Sequence, residues 1–62
     1  MKYAEITRRL KEFGCRFVRH GANHDWWYSP ITQRRFLVPR HPSQEAKPGT
    51  LRSISLQSGV SF

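Results

Sequence analysis

Acidic residues are scarce in this sequence. Four Asp and Glu stand against eleven Lys and Arg, giving a formal net charge of +7. Such an imbalance in so short a chain favours a polyanionic partner, whether nucleic acid, an anionic membrane or an acidic protein. A second reading of the charge is simple solubility. Cysteine is scarcer still: Cys15 stands alone. It has no partner for an intramolecular disulfide, which excludes the framework of small secreted proteins. Beside Phe17 and Val18 it is expected to be a small buried hydrophobe rather than a nucleophile. No stretch approaches the ~20 apolar residues of a membrane span, and Met1 to Phe13 carries no apolar signal core. The cytoplasm is therefore the expected location. A Gly-rich phosphate loop and a Ser/His/Asp or Cys/His arrangement are also absent.

Aromatics, in contrast, are plentiful: two Trp, two Tyr and four Phe among 62 residues. A chain of this length sits near the lower limit for a self-supporting core, and large rings help to fill it. It is expected to form one domain, residues 1–62.

Periodicity gives the elements. Tyr3, Ile6, Leu10 and Phe13 recur at helical spacing and predict a first helix over residues 3–13, stopped by Gly14. Residues 15–20 predict a strand, Gly21-Ala22-Asn23 a hairpin turn, and His24 to Ser29 a second, aromatic-rich strand. Pro30 to Gln33 predicts another turn, and Arg34 to Val38 a third strand that Pro39 terminates. A loop follows to Lys47. Pro48 suits the first turn of a final helix ending near Ser58, with Leu51, Ile54 and Ser58 as a thin inner stripe and Gly59 as the stop. The order is α-β-β-β-α: an α+β fold, a three-stranded antiparallel meander with both helices on one face, as in double-stranded-RNA-binding domains. That likeness concerns architecture and not function.

Several segments carry a closer resemblance. Gly21-Ala22-Asn23-His24 resembles the Gly-Ser-Asn/His-His element of the HicA toxins. Val38-Pro39-Arg40-His41-Pro42 resembles their Val-Pro-x-His element, and Gly49-Thr50-Leu51-Arg52-Ser53-Ile54 the start of their last helix. Gly59-Val60-Ser61 matches its end, and Tyr3 through Arg19 matches the opening. The resemblance implies a ribonuclease toxin that cuts messenger RNA, a HicB-like antitoxin as its partner, and His24 as the functional histidine. Three positions depart from the pattern. Ala22 replaces a usual Ser, Asp25 an apolar residue, and Ser55-Leu56 a Leu followed by a polar residue. The last change moves apolar surface outward, so Leu56, with Phe62, becomes a candidate contact for the antitoxin.

The residue types suit RNA cleavage without a cofactor; the alternative is a non-catalytic RNA-binding module of the same fold, which would have no need of an imidazole at His24. The 2′-hydroxyl can attack the adjacent phosphorus if protons are moved and the phosphorane is stabilised. Imidazole exchanges protons near neutrality, and Arg and Lys stabilise the charge. His24 follows a turn and opens a strand, an exposed and positioned place; it could also be a surface residue of the hairpin. His41 is a lesser candidate as a second catalyst, and His20 lesser again. Alternation puts Trp26 and Tyr28 on the face of His24, where they would stack on bases or else pack in the core, with Trp27 and Asp25 on the opposite face. Arg19, Arg34, Arg35, Arg40 and Lys47 are the expected phosphate contacts, with Arg16 nearby. A metal site is not expected. His20 and His24 have helical ligand spacing in a segment that Gly21 and Asn23 make non-helical, and Glu5, Glu12 and Glu45 are scattered.

Overall fold

A computed structural model describes residues 1–62. Helix α1 spans Tyr3–Glu12, strands β1, β2 and β3 span Arg16–His20, His24–Ser29 and Arg34–Pro39, and helix α2 spans Pro48–Ser58. The strands form one antiparallel sheet in the order β1-β2-β3. Both helices lie on the same face of it. Tyr3, Ile6 and Leu10 of α1 and Ile54 of α2 share a core with Trp27, Phe36 and Val38 of the sheet, closed by Cys15 and Val60. The α+β order and the helical stripes are as the periodicity predicts. Cys15 is buried, as expected of a small apolar side chain.

Boundaries differ in three places. Helix α1 ends at Glu12, so Phe13 falls at the cap and is about half exposed instead of completing the apolar stripe. Strand β1 starts at Arg16 because the Cys15 amide turns back to donate to the Leu10 carbonyl. Strand β3 runs on to Pro39, which pairs with His24. A proline is tolerated there because β3 is an edge strand and needs no amide donor on its open side.

The connections explain how so small a body holds together. The first turn of any helix leaves amides without intrahelical partners. In α1 those of Tyr3 and Ala4 donate to the carbonyls of Gln44 and Pro42, so the loop after β3 caps the helix. The Met1 ammonium pairs with Glu45 at 3.0 Å. The other end of the molecule is tied by hydroxyls. Ser29 Oγ donates to the Ser58 carbonyl at 2.5 Å and accepts from the amides of Ile31 and Thr32. Thr32 Oγ1 donates to the Gln57 carbonyl at 2.6 Å. The last carbonyls of α2 are thus satisfied by the β2–β3 turn. Gly59 has φ +76°, and a β-carbon there would lie 2.7 Å from Ile31 Cγ2, so backbone conformation and space both demand glycine. No helix is long and apolar enough to cross a membrane.

Candidate functional site

The register of the sheet sorts the side chains into two faces. Trp27, Phe36 and Val38 point toward the helices, and Trp27 is only 4% exposed. The opposite face has no covering element. Along β2 it carries His24, Trp26 and Tyr28, whose partners on β3 are Pro39, Leu37 and Arg35. On β1 the partner of Tyr28 is Arg16 and that of Trp26 is Arg19. The alternative left open by the sequence, stacking face or core, is resolved in position: Trp26 and Tyr28 are half-buried on the open face, and Trp27 is the core tryptophan.

Strict alternation along β1 would turn Arg16 and Arg19 to opposite sides, being three residues apart. The pairing slips between Phe17 and Arg19, leaving Val18 as an extra residue. This β-bulge re-aims the second half of the strand. Both guanidinium groups therefore reach the His24 face. Arg16 lies over the Tyr28 ring, 5.4 Å from its centroid. None of the four carboxylates stands there. Glu5 and Glu12 are on α1, Glu45 pairs with the N-terminus, and Asp25 alternates to the helical side. The result is a flat, aromatic and uniformly cationic surface with an exposed imidazole at one end.

The turn that presents His24 is held from outside. The Gly21 amide donates to the His24 carbonyl at 2.7 Å. A β-carbon on Gly21 would lie 2.7 Å from that same oxygen, so the approach is open only to glycine. Arg40 clamps the turn: its Nη2 donates to the carbonyls of Gly21 (3.0 Å) and Ala22 (2.8 Å), and its Nε lies 3.6 Å from Asp25 Oδ1. Its amide donates to the Asn23 carbonyl. This positioning role was not visible in the sequence, where Arg40 reads only as a cation near the end of a strand.

Other sequence candidates are dispersed. Arg34 pairs with Ser29 and so belongs to the helical side of β3, away from Arg35. Lys47 is the N-cap of α2, in the helical layer. His41 lines a cleft of about 190 Å³ on the helical side, together with Tyr3, Lys11, Asp25, Trp27 and Arg40. His20 pairs across the hairpin with Asp25, Nδ1 to Oδ1 at 2.7 Å, and not with His24. The one imidazole oriented by a carboxylate is thus His20, a pairing that depends on hairpin register and left no signal in the sequence. No three His, Cys, Asp or Glu side chains gather as a metal site would require.

The chain matches a family model described as HicA toxin of bacterial toxin–antitoxin systems, over residues 3–60. Comparison with curated proteins and with solved structures gives no significant match. The family match spans both helices and all three strands, including the turn that carries His24. With an uncovered cationic face around that histidine and nearly the whole chain matched, this protein belongs to the HicA family, the toxins of bacterial toxin–antitoxin systems, whose partner is an antitoxin.

Proposed function

We propose that this toxin is an endoribonuclease that cuts messenger RNA on the open face of the sheet, with His24 as its general acid–base. The observation that carries the reading is the sharing of one face by His24, two aromatic rings and the guanidinium groups of Arg16, Arg19 and Arg35. Guanidinium groups hold phosphates and stabilise the doubly charged phosphorane, while rings stack on unpaired bases.

In the reaction the 2′-oxygen attacks the adjacent phosphorus as its proton is removed, and the P–O5′ bond breaks as the leaving oxygen is protonated. The products are a 2′,3′-cyclic phosphate and a 5′-hydroxyl. An imidazole can serve either proton transfer. The Gly21 close approach and the Arg40 clamp hold the backbone at the start of β2, where His24 stands, and so support this reading. No step in this route calls for a metal or a cofactor.

General acid–base help is typically worth about 10²–10⁴-fold. His24→Ala is expected to slow cleavage of RNA by an amount of that order, with the circular dichroism spectrum and RNA binding retained. Cleavage by the wild-type protein should persist in excess EDTA and leave cyclic-phosphate ends. Undiminished cleavage by the variant would sink the assignment. RNA held by the wild-type protein but left uncut would identify a binding module.

The antitoxin in this reading is HicB-like and acidic over its contact surface. It covers His24 and the neighbouring arginines, because a face built for phosphates also accepts carboxylates. Leu56, 74% exposed on α2, offers an apolar contact beyond that face.

A further inference from the structure

The nuclease reading gives the far end of the same face a part in binding RNA but sets no register there. There a recess of about 380 Å³ is lined by Arg16, Phe17, Val18, Tyr28 and Arg35. Tyr28 forms its floor between two cations, since Arg16 is its partner on β1 and Arg35 its partner on β3. The Arg16 guanidinium carbon lies over the Tyr28 ring, 5.4 Å from its centroid, so a cation–π pair is already in place. No carboxylate lines the recess.

We propose that this recess is a distal RNA subsite: it takes an unpaired base against the Tyr28–Arg16 pair and the adjoining phosphate on Arg35, two nucleotides from the phosphate cut at His24. The inference rests on the nuclease reading of His24 and adds a register to it. Tyr28 is four residues from His24 on one strand, about 14 Å at ~3.4 Å per residue. Trp26 lies halfway, on the same face. Counting side chains, the nucleotide beside the cut meets Trp26 and the next meets Tyr28.

The spacing also selects the state of the strand. Side chains two residues apart stand about 7 Å apart along a β-strand, roughly twice the ~3.4 Å between neighbouring bases in a stacked helix. Two successive bases can each lie against their own ring only if they are splayed, as they are in single-stranded RNA and not in a duplex. The guanidinium groups suit both parts of such a ligand, since arginine stacks on planar rings and forks onto phosphate oxygens.

The test uses RNA oligonucleotides with one cleavable linkage and one, two or three nucleotides on either side of it, compared by kcat/KM. On one side only, extension from one nucleotide to two is expected to raise kcat/KM about tenfold or more, the effect of one added stacked base. Tyr28→Ala should abolish that step and Tyr28→Phe should keep it. Arg35→Ala should shrink it. Removing the second nucleotide and removing the ring should not be additive, because both delete the same interaction. A length step that survives in Tyr28→Ala, or the lack of any step on either side, overturns the subsite while leaving a His24-dependent nuclease standing. If the wild-type protein cuts none of the oligonucleotides, or His24→Ala cuts them equally well, the nuclease reading fails and the subsite falls with it.

Discussion

Arg40 joins three parts of the chain that sequence spacing keeps apart: the carbonyls of the β1–β2 turn, the carboxylate of Asp25 and the end of β3. A surface arginine that only met phosphates would be nearly neutral for stability, within about ±0.5 kcal/mol. A clamp would not. Hydrogen bonds from a charged donor contribute about 1.5–3 kcal/mol, and solvent screening at this partly exposed site reduces that to about 1 kcal/mol. Arg40→Ala is therefore expected to lower Tm by about 4–8 °C, since each kcal/mol shifts Tm by that much in a domain of this size. Calorimetry on the RNA-free protein decides the matter: an unchanged Tm would return Arg40 to the set of simple phosphate contacts. The departure at Ala22 is easier to place. Its carbonyl is what Arg40 holds, and its side chain is exposed, so the missing hydroxyl leaves the turn's backbone contacts intact.

Among the elements, the β2–β3 turn carries weight out of proportion to its length. The Ser29 hydroxyl, fully buried, serves one acceptor and two donors that join the turn to the end of α2. Ser29→Ala strands the Ser58 carbonyl in the interior. Leaving a buried polar group unsatisfied costs about 1–3 kcal/mol. A matching fall in unfolding free energy, read from urea denaturation with an unchanged m-value, is the expected result; a fall below about 0.5 kcal/mol would show that another donor replaces the hydroxyl. Element identity and order were legible in the sequence because two apolar stripes of period 3.6 flank three short runs of strand formers. Register was not. The connection between β1 and β2 lacks Asn-Gly or Gly-Gly, and no residue in it takes a positive φ, so no turn type dictates the alignment. His20 consequently meets Asp25, a pairing that the motif Gly21 to His24 does not announce. The Val18 bulge was equally hidden, and with it the placing of Arg16 beside Arg19. The pair Arg34 and Arg35, adjacent in sequence, was separated by ordinary alternation.

Across the whole molecule, charge is arranged and not merely abundant. Arg16, Arg19 and Arg35 share the open face, while Arg34 and Lys47 do not. Deleting one cation that neutralises a phosphate should lower the slope of log affinity against log salt by roughly 0.7 for a single strand. Arg35→Ala is expected to show that change and Arg34→Ala to show none; equal slopes for the two variants would mean that RNA lies elsewhere. The same face is where an acidic antitoxin should dock, so RNA and antitoxin are expected to exclude each other in a competition titration. A ternary complex with RNA bound at full affinity would point instead to inhibition at a distance. The bulge in β1 has one more effect, on encounters between copies of the chain. β1 is an edge strand, exposed along its whole length and carrying two apolar side chains, Phe17 and Val18. A straight edge of that composition is a template onto which another copy could add a strand, and the products of such addition are aggregates. The extra residue at Val18 breaks the even spacing of amides and carbonyls that a second strand would need, and the charges of Arg16 and Arg19 flank the break. The irregularity that gathers cations on the open face thus also works against strand addition along this edge.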